Sequence, residues 1–166
     1  MAVPPRSLQV EQEETLGLLR SAASSSDPEL GEKACRRLLA LTELREVVVH
    51  PSCVDWADPD LVDDAATDCD LLRLVAGEIL SLPSEGLMRK AWLRAAIRLL
   101  EGRVASERSE DGLWAGAPND MRALDIRIRE HLPYAFQRAE AADEAWSPLT
   151  MESQRPFQPP AGAVRW

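Results

Sequence analysis

A chain of 166 residues has room for one compact core, and a composition of 45% hydrophobic and 28% charged residues excludes an intrinsically disordered chain. The net charge of −9 repels phosphate backbones, which argues against nucleic acid as the main partner. Three widely spaced cysteines cannot build a disulfide framework, and no apolar run is long enough to span a bilayer. The opening "MAVPPRSLQVEQEE" has neither an apolar signal core nor an arginine-rich transit character, so a cytoplasmic protein without membrane contact is expected. Leu, Ala, Arg and Glu dominate while Ile, Tyr and Phe are scarce, and this bias predicts an all-α fold.

Residues 1–6 form a proline-bearing lead, and a single helical domain is expected over residues 7–146. Ser7 is a fair N-cap for a first helix whose Gln12, Thr15, Leu16, Leu19, Ala22 and Ala23 share one face. The serines at 24–26 end it. The second helix has the cleanest start in the chain, with Asp27 as cap, Pro28 where its missing N–H costs nothing, and Glu29 facing the helix dipole. Leu30, Ala34, Leu38, Leu41 and Leu44 make its apolar stripe. The β-branched run Val47–Val49 predicts a helix that ends near residue 48, with a short strand as the alternative.

The stretch "HPSCVDWADPDLVDDAATDCD", His50 to Asp70, holds seven aspartates and no lysine or arginine, which predicts a solvated loop with a helical turn after Asp58-Pro59. Asp58 and Asp68 stand where caps belong, and Asp58, Asp60 and Asp63 are candidates for an acidic recognition patch. The calcium-loop pattern is absent, since neither the central glycine nor the closing glutamate occurs. A zinc site would use His50, Cys53 and Cys69, with Cys35 or an aspartate as fourth ligand. No Cys-x-x-Cys pair supports it, and buried or idle thiols are the expectation.

A third helix is expected from Thr67 or Asp68, aligning Leu71, Val75, Ile79 and Leu82. After Pro83 the fourth places Met88, Ala91, Trp92, Ala95 and Leu99 on its apolar face and Lys90, Arg94 and Arg98 on the opposite one. That basic stripe suits an acidic protein partner, or phosphate if a nucleic acid were bound after all. Residues 105–120 read as a loop. A fifth helix carries Met121, Leu124 and Ile128 inward until Pro133 interrupts it, leaving His131 near a helix C-terminus. A kinked extension or a separate short helix follows. The tail, residues 147–166, is proline-rich, lacks periodicity, and sets Phe157, Val164 and Trp166 among prolines, as in segments that lie in a partner's groove.

Two segments resemble each other. "TLGLLRSAASSSDPELGEKACRRLLALTEL", about residues 15–44, and more loosely residues 71–100 both carry Leu-Leu-Arg at or near the start (Leu18–Arg20 and Leu71–Arg73), contain a proline-marked helix start, and carry a Lys-Ala pair before an Arg/Leu-rich end. The first resembles an armadillo or HEAT-type helical hairpin. The resemblance implies a stacked-helix scaffold that binds another protein along a concave face.

No glycine-rich phosphate loop, nucleophile elbow or His-Glu-x-x-His motif occurs, so neither catalytic residues nor a cofactor is expected. The expected fold is five or six helices in an irregular bundle or a short stack of hairpins with an extended tail. The expected function is a non-catalytic protein-binding or assembly subunit acting through a helical face and the tail. The alternative is a small helical regulator that contacts nucleic acid through Lys90, Arg94 and Arg98.

Overall fold

A computed structural model describes residues 3–83 and 86–142, and no strand occurs among them. Six α-helices follow in order: α1 (Arg6–Ser24), α2 (Pro28–Leu44), α3 (His50–Cys53), α4 (Pro59–Ser81), α5 (Leu87–Glu107) and α6 (Arg122–Ala141). A five-residue π turn, Arg45–Val49, joins α2 to α3. No helix among the described residues is long and apolar enough to cross a membrane.

Two helix starts follow from Asp-Pro chemistry. The Asp27 carboxylate accepts from the N–H of Glu29 at 3.0 Å, and that of Asp58 from the N–H of Asp60 at 2.9 Å. The start of α1 is different. It opens at Arg6 behind Pro5, and the Ser7 N–H donates to Asp125 of α6 at 2.9 Å, so Ser7 ties two helices together and caps neither.

The middle of the fold is α2, which packs against α1, α4 and α6. Because α5 in turn packs against both α1 and α4, the four helices α1, α2, α4 and α5 close a ring. α6 lies outside it, against α1 and α2. The central place of α2 is legible in its burial: Ala34, Cys35, Leu38, Leu39, Leu41 and Leu44 are all shielded, while Glu29, Glu32 and Lys33 keep its outer face in water. On α6, Leu124, Ile128, Ala135 and Ala139 face inward, and Phe136 lies under the Arg37 guanidinium at 5.2 Å.

The structure corrects four expectations. The stretch from His50 to Asp70 is mostly helical: α3 covers its start and α4 runs from Pro59 unbroken through Asp63, Asp64, Asp68 and Asp70. Aspartate costs only a fraction of a kcal/mol per helical position, and burial of Ala65, Cys69 and Leu72 outweighs that. The valine run neither frays nor extends, because the wider π turn continues the helix with Val48 and Val49 buried and Val47 outward. Pro133 does not interrupt α6 either. It lies on the exposed side, where water can replace the lost backbone bond, and His131 is therefore mid-helix.

The fourth correction concerns α5. Its inward positions are Arg89, Leu93, Ala96, Leu100, Arg103 and Glu107, a face rotated about 100°, one residue, from the expected one. Met88 is 62% exposed and Ala91 is exposed, while three charged residues are buried. Charges at inward positions erase the hydrophobic period by which a core face is recognised.

The segment after α5 turns back over the core and buries Leu113 and Trp114. Trp56 donates its Nε1–H to the Leu113 carbonyl at 3.2 Å, and the Trp56 and Trp114 rings are 6.3 Å apart. Gly112 sits where a Cβ would meet the Ser106 carbonyl oxygen at 2.3 Å and that of Glu107 at 2.5 Å, both backbone atoms that cannot yield. Gly102, in the middle of α5, has open space around it. Gly112→Ala is therefore expected to lower stability by about 1–3 kcal/mol, and Gly102→Ala to raise it by roughly 0.5–1 kcal/mol. Urea denaturation midpoints of the two variants check both signs.

Candidate functional site

Two regions collect the chemically capable side chains. The first is a buried charge centre where the π turn, α4 and the end of α5 meet. The Arg45 guanidinium donates from both terminal nitrogens to the two oxygens of Glu107, at 2.6 and 2.7 Å. The two side chains are 1% and 2% exposed. Arg103, one turn before Glu107, lies 3.8 Å from the same carboxylate and 3.2 Å from Asp68 on α4. Asp68 is thus an ion-pair partner within α4 and not a helix cap.

Electrostatics follow from this pair. Burial alone would lower the Arg45 pKa, but the facing Glu107 carboxylate outweighs it and holds the guanidinium charged above its usual value. His50 lies within the same field. Burial, reinforced by the Arg45 cation, pushes its pKa down to about 4, so the ring is neutral, and neither of its nitrogens has a hydrogen-bond partner among the described residues. Burial drives the Cys53 thiol up to about 12, with Glu107 adding to the effect. The Cys69 thiol is also raised by burial, against the opposing pull of Arg45.

Of the candidate zinc ligands, His50, Cys53 and Cys69 lie in one neighbourhood, around the Arg45–Glu107 pair, and Cys35 lies apart from it near Arg89. A guanidinium occupies that neighbourhood, and among the described residues no three His, Cys, Asp or Glu side chains are placed to hold a metal ion. Protonated thiols and a neutral imidazole packed beside the ion pair lack the thiolate that a cysteine nucleophile needs. His131, on α6, stands 3.7 Å from Glu43 and beside Tyr134.

The second region is the outside of α5. Leu87, Ala91, Arg94 and Arg98 fall on one stripe and all are exposed, Leu87 to 89%. Arg94 and Arg98 have no ion pair or hydrogen bond among the described residues, and Lys90 flanks them half-buried. Several other surface arginines are engaged: Arg20 with Glu101, Arg37 with Glu11 and Glu14, and Arg73 with Glu46 and Asp70. Arg6 and Arg108 are exposed and, like Arg94 and Arg98, have no ion pair among the described residues. Asp58 is committed to its cap, while Asp60 and Asp63 are exposed in the first turns of α4. Phe157, Val164 and Trp166 lie outside the described residues.

Sequence reading misses Arg45, Glu107 and Arg103 as a group. Charged residues in amphipathic helices read as surface, and Arg45 and Glu107 are 62 positions apart, so no local spacing announces them. These features define an all-helical protein with a buried ionic centre and an unpaired basic stripe on one outer helix. No family model matches the sequence, and no curated protein or solved structure matches it.

Removing one partner of a buried pair leaves the other charge without compensation. Glu107→Gln is expected to cost about 3–5 kcal/mol in chemical denaturation, and Arg45→Met/Glu107→Leu to recover most of that. His50 gives a pH dependence of definite sign. The unfolded chain takes up a proton below about 6.5 that the folded state refuses until about 4, so stability falls as pH drops through that window, by roughly 3 kcal/mol in all. His50→Leu should flatten this part of the curve of unfolding free energy against pH.

Proposed function

We propose that the chain is a non-catalytic protein-binding subunit of the cytoplasm, which docks an acidic partner along the outer stripe of α5. The observation that carries the reading is the exposed row Leu87, Ala91, Arg94 and Arg98, whose two arginines have no counterion among the described residues, in a chain where acids outnumber bases 28 to 19. A row of cations beside exposed Leu87 and Met88 offers both electrostatic steering and apolar anchors. Three buried, unpaired thiols suit a reducing compartment. The packing of α1 on α2 and of α4 on α5 is in keeping with paired helical hairpins of the armadillo or HEAT kind. The tail would add Phe157, Val164 and Trp166 as anchors in a groove of the partner, and Asp60 and Asp63 a second, acidic contact.

Native mass spectrometry of the protein isolated gently from its own source tests this. A co-purifying polypeptide is expected, and Arg94→Glu/Arg98→Glu should lose it while the melting temperature stays unchanged, because surface substitutions shift stability by only about 0.5 kcal/mol. Removal of residues 147–166 should weaken the same complex and leave the helical circular-dichroism spectrum intact. Retention of the polypeptide by the charge-reversed variant would overturn the docking face. A co-purifying nucleic acid, lost steeply with salt, would replace the reading by a regulator that grips phosphates with Lys90, Arg94 and Arg98.

A further inference from the structure

On the side of α5 away from Arg94 and Arg98, the connection between α1 and α2 and the first turn of α5 enclose a cleft of about 350 Å3. Arg89 forms part of its wall. It is only 8% exposed, yet its guanidinium has no hydrogen bond and no ion pair among the described residues. The guanidinium lies across Gly31 of α2, which also lines the cleft: a Cβ at that position would stand 2.9 Å from Nη2 and 3.2 Å from Cζ. Any larger residue at 31 would push the cation out of its seat.

No carboxylate of a described residue pairs with Arg89, though that of Asp27 itself lines the cleft. Asp27 caps α2, and Glu32 pairs with Arg36 at 2.7 Å. The Cys35 thiol, the group in α2 on which the Arg89 charge acts, is pushed up to about 12 by burial against the pull of Arg89, so it is neutral and supplies no counterion. The guanidinium nitrogens border the cleft and keep contact with water, so an anion entering it meets a cation that no described carboxylate neutralises.

The backbone at the same place is prepared for an anion. α5 opens at Gly86, whose φ of +152° suits glycine, and neither a side-chain cap nor an acidic residue serves its first turn. The N–H groups of Leu87, Met88 and Arg89 therefore have no acceptor within the helix, and the positive end of the helix dipole lies at the cleft. Lys90 adds a second cation, Ser25 and Ser26 add hydroxyls, and Ala22 and Leu93 provide an apolar side.

We propose that this cleft binds a phosphate monoester: its oxygens take the Arg89 guanidinium as a fork and the first-turn N–H groups of α5, with Lys90 and the two serines at the rim. Arginine suits this task because its planar donors match two oxygens of one phosphate. The volume lies near the lower end of small-molecule sites, about 300–1,000 Å3, which fits a phosphate carrying a small organic group against Ala22 and Leu93. Such a group is presented either by a free phosphorylated metabolite or by a phosphorylated serine side chain.

The test is an amide NMR titration of the full chain with inorganic phosphate, with glycerol 3-phosphate, and with a short phosphoserine peptide beside its unphosphorylated form. Saturable shifts are expected at residues 86–90 and 25–31 and at the Arg89 side chain. Arg89→Met should weaken binding by about tenfold or more, while melting at the same or a higher temperature than the parent in phosphate-free buffer. Lys90→Gln should weaken it about two- to threefold without touching the core. Tighter binding of glycerol 3-phosphate assigns the site to a metabolite, and tighter binding of the phosphopeptide alone assigns it to a modified partner. Absence of saturable shifts with all of these at millimolar concentration, or equal affinities in the parent and the Arg89→Met variant, would overturn the proposal. So would a lower melting temperature for Arg89→Met with no phosphate response in either protein, because Arg89 would then be structural only.

Discussion

A guanidinium and a carboxylate that have both left water must remain together, and Arg45 and Glu107 impose that condition on everything around them. The pair ties the π turn that prolongs α2 to the last turn of α5, and Arg103 extends the tie to Asp68 on α4. Three segments distant in sequence are thereby held in one register, since sliding any of them by a residue would strand a buried charge. The π turn itself fits this role. It continues the helix from Leu44 to His50 with Arg45, Val48 and Val49 all inward.

The same pair decides the chemistry of its neighbours. Cys53 and Cys69 stay protonated and His50 stays neutral because burial disfavours their charged forms beside a cation and an anion that already face each other. What looks in the sequence like a set of metal ligands is, in three dimensions, the packing around an ion pair. The acidic residues of the stretch divide likewise: Asp68 is drawn into the network, Asp58 closes a helix start, and Asp60 and Asp63 are left at the surface.

With Glu107 and Arg103 facing inward, the rotation of α5 about its axis follows, and with it both surfaces of functional interest. Its outer stripe carries Leu87, Ala91, Arg94 and Arg98 into solvent, which is the basis of the docking proposal. Its inner edge carries Arg89 against Gly31 and opens the cleft at the helix start. One helix thus presents two kinds of cation: solvated ones without a counterion, suited to steering a partner, and a shielded one suited to gripping a single anion.

Local chemistry was sufficient for the parts of the fold that depend on neighbours in the chain. The helical class, the Asp27-Pro28 and Asp58-Pro59 starts, and the inward faces of α1 and most of α2 and α6 are legible because caps and apolar periods act over four or five residues. The docking candidates Arg94 and Arg98 were legible as a stripe for the same reason. Other features had no local sign. Propensity in the sequence disfavours a helix through Asp63, Asp64 and Asp68, and burial of Ala65, Cys69 and Leu72 overrides it. The inward face of α5 was hidden because Arg89, Arg103 and Glu107 look like surface residues until Arg45, Asp68 and Gly31 are brought beside them. The sequence by itself determined the helical class and the cap at Asp27-Pro28, but not that a helix runs unbroken from Pro59 through the acidic stretch. Only the tertiary structure decided which charges are buried, because a charge can leave water only when its partner, tens of residues away, has been folded against it.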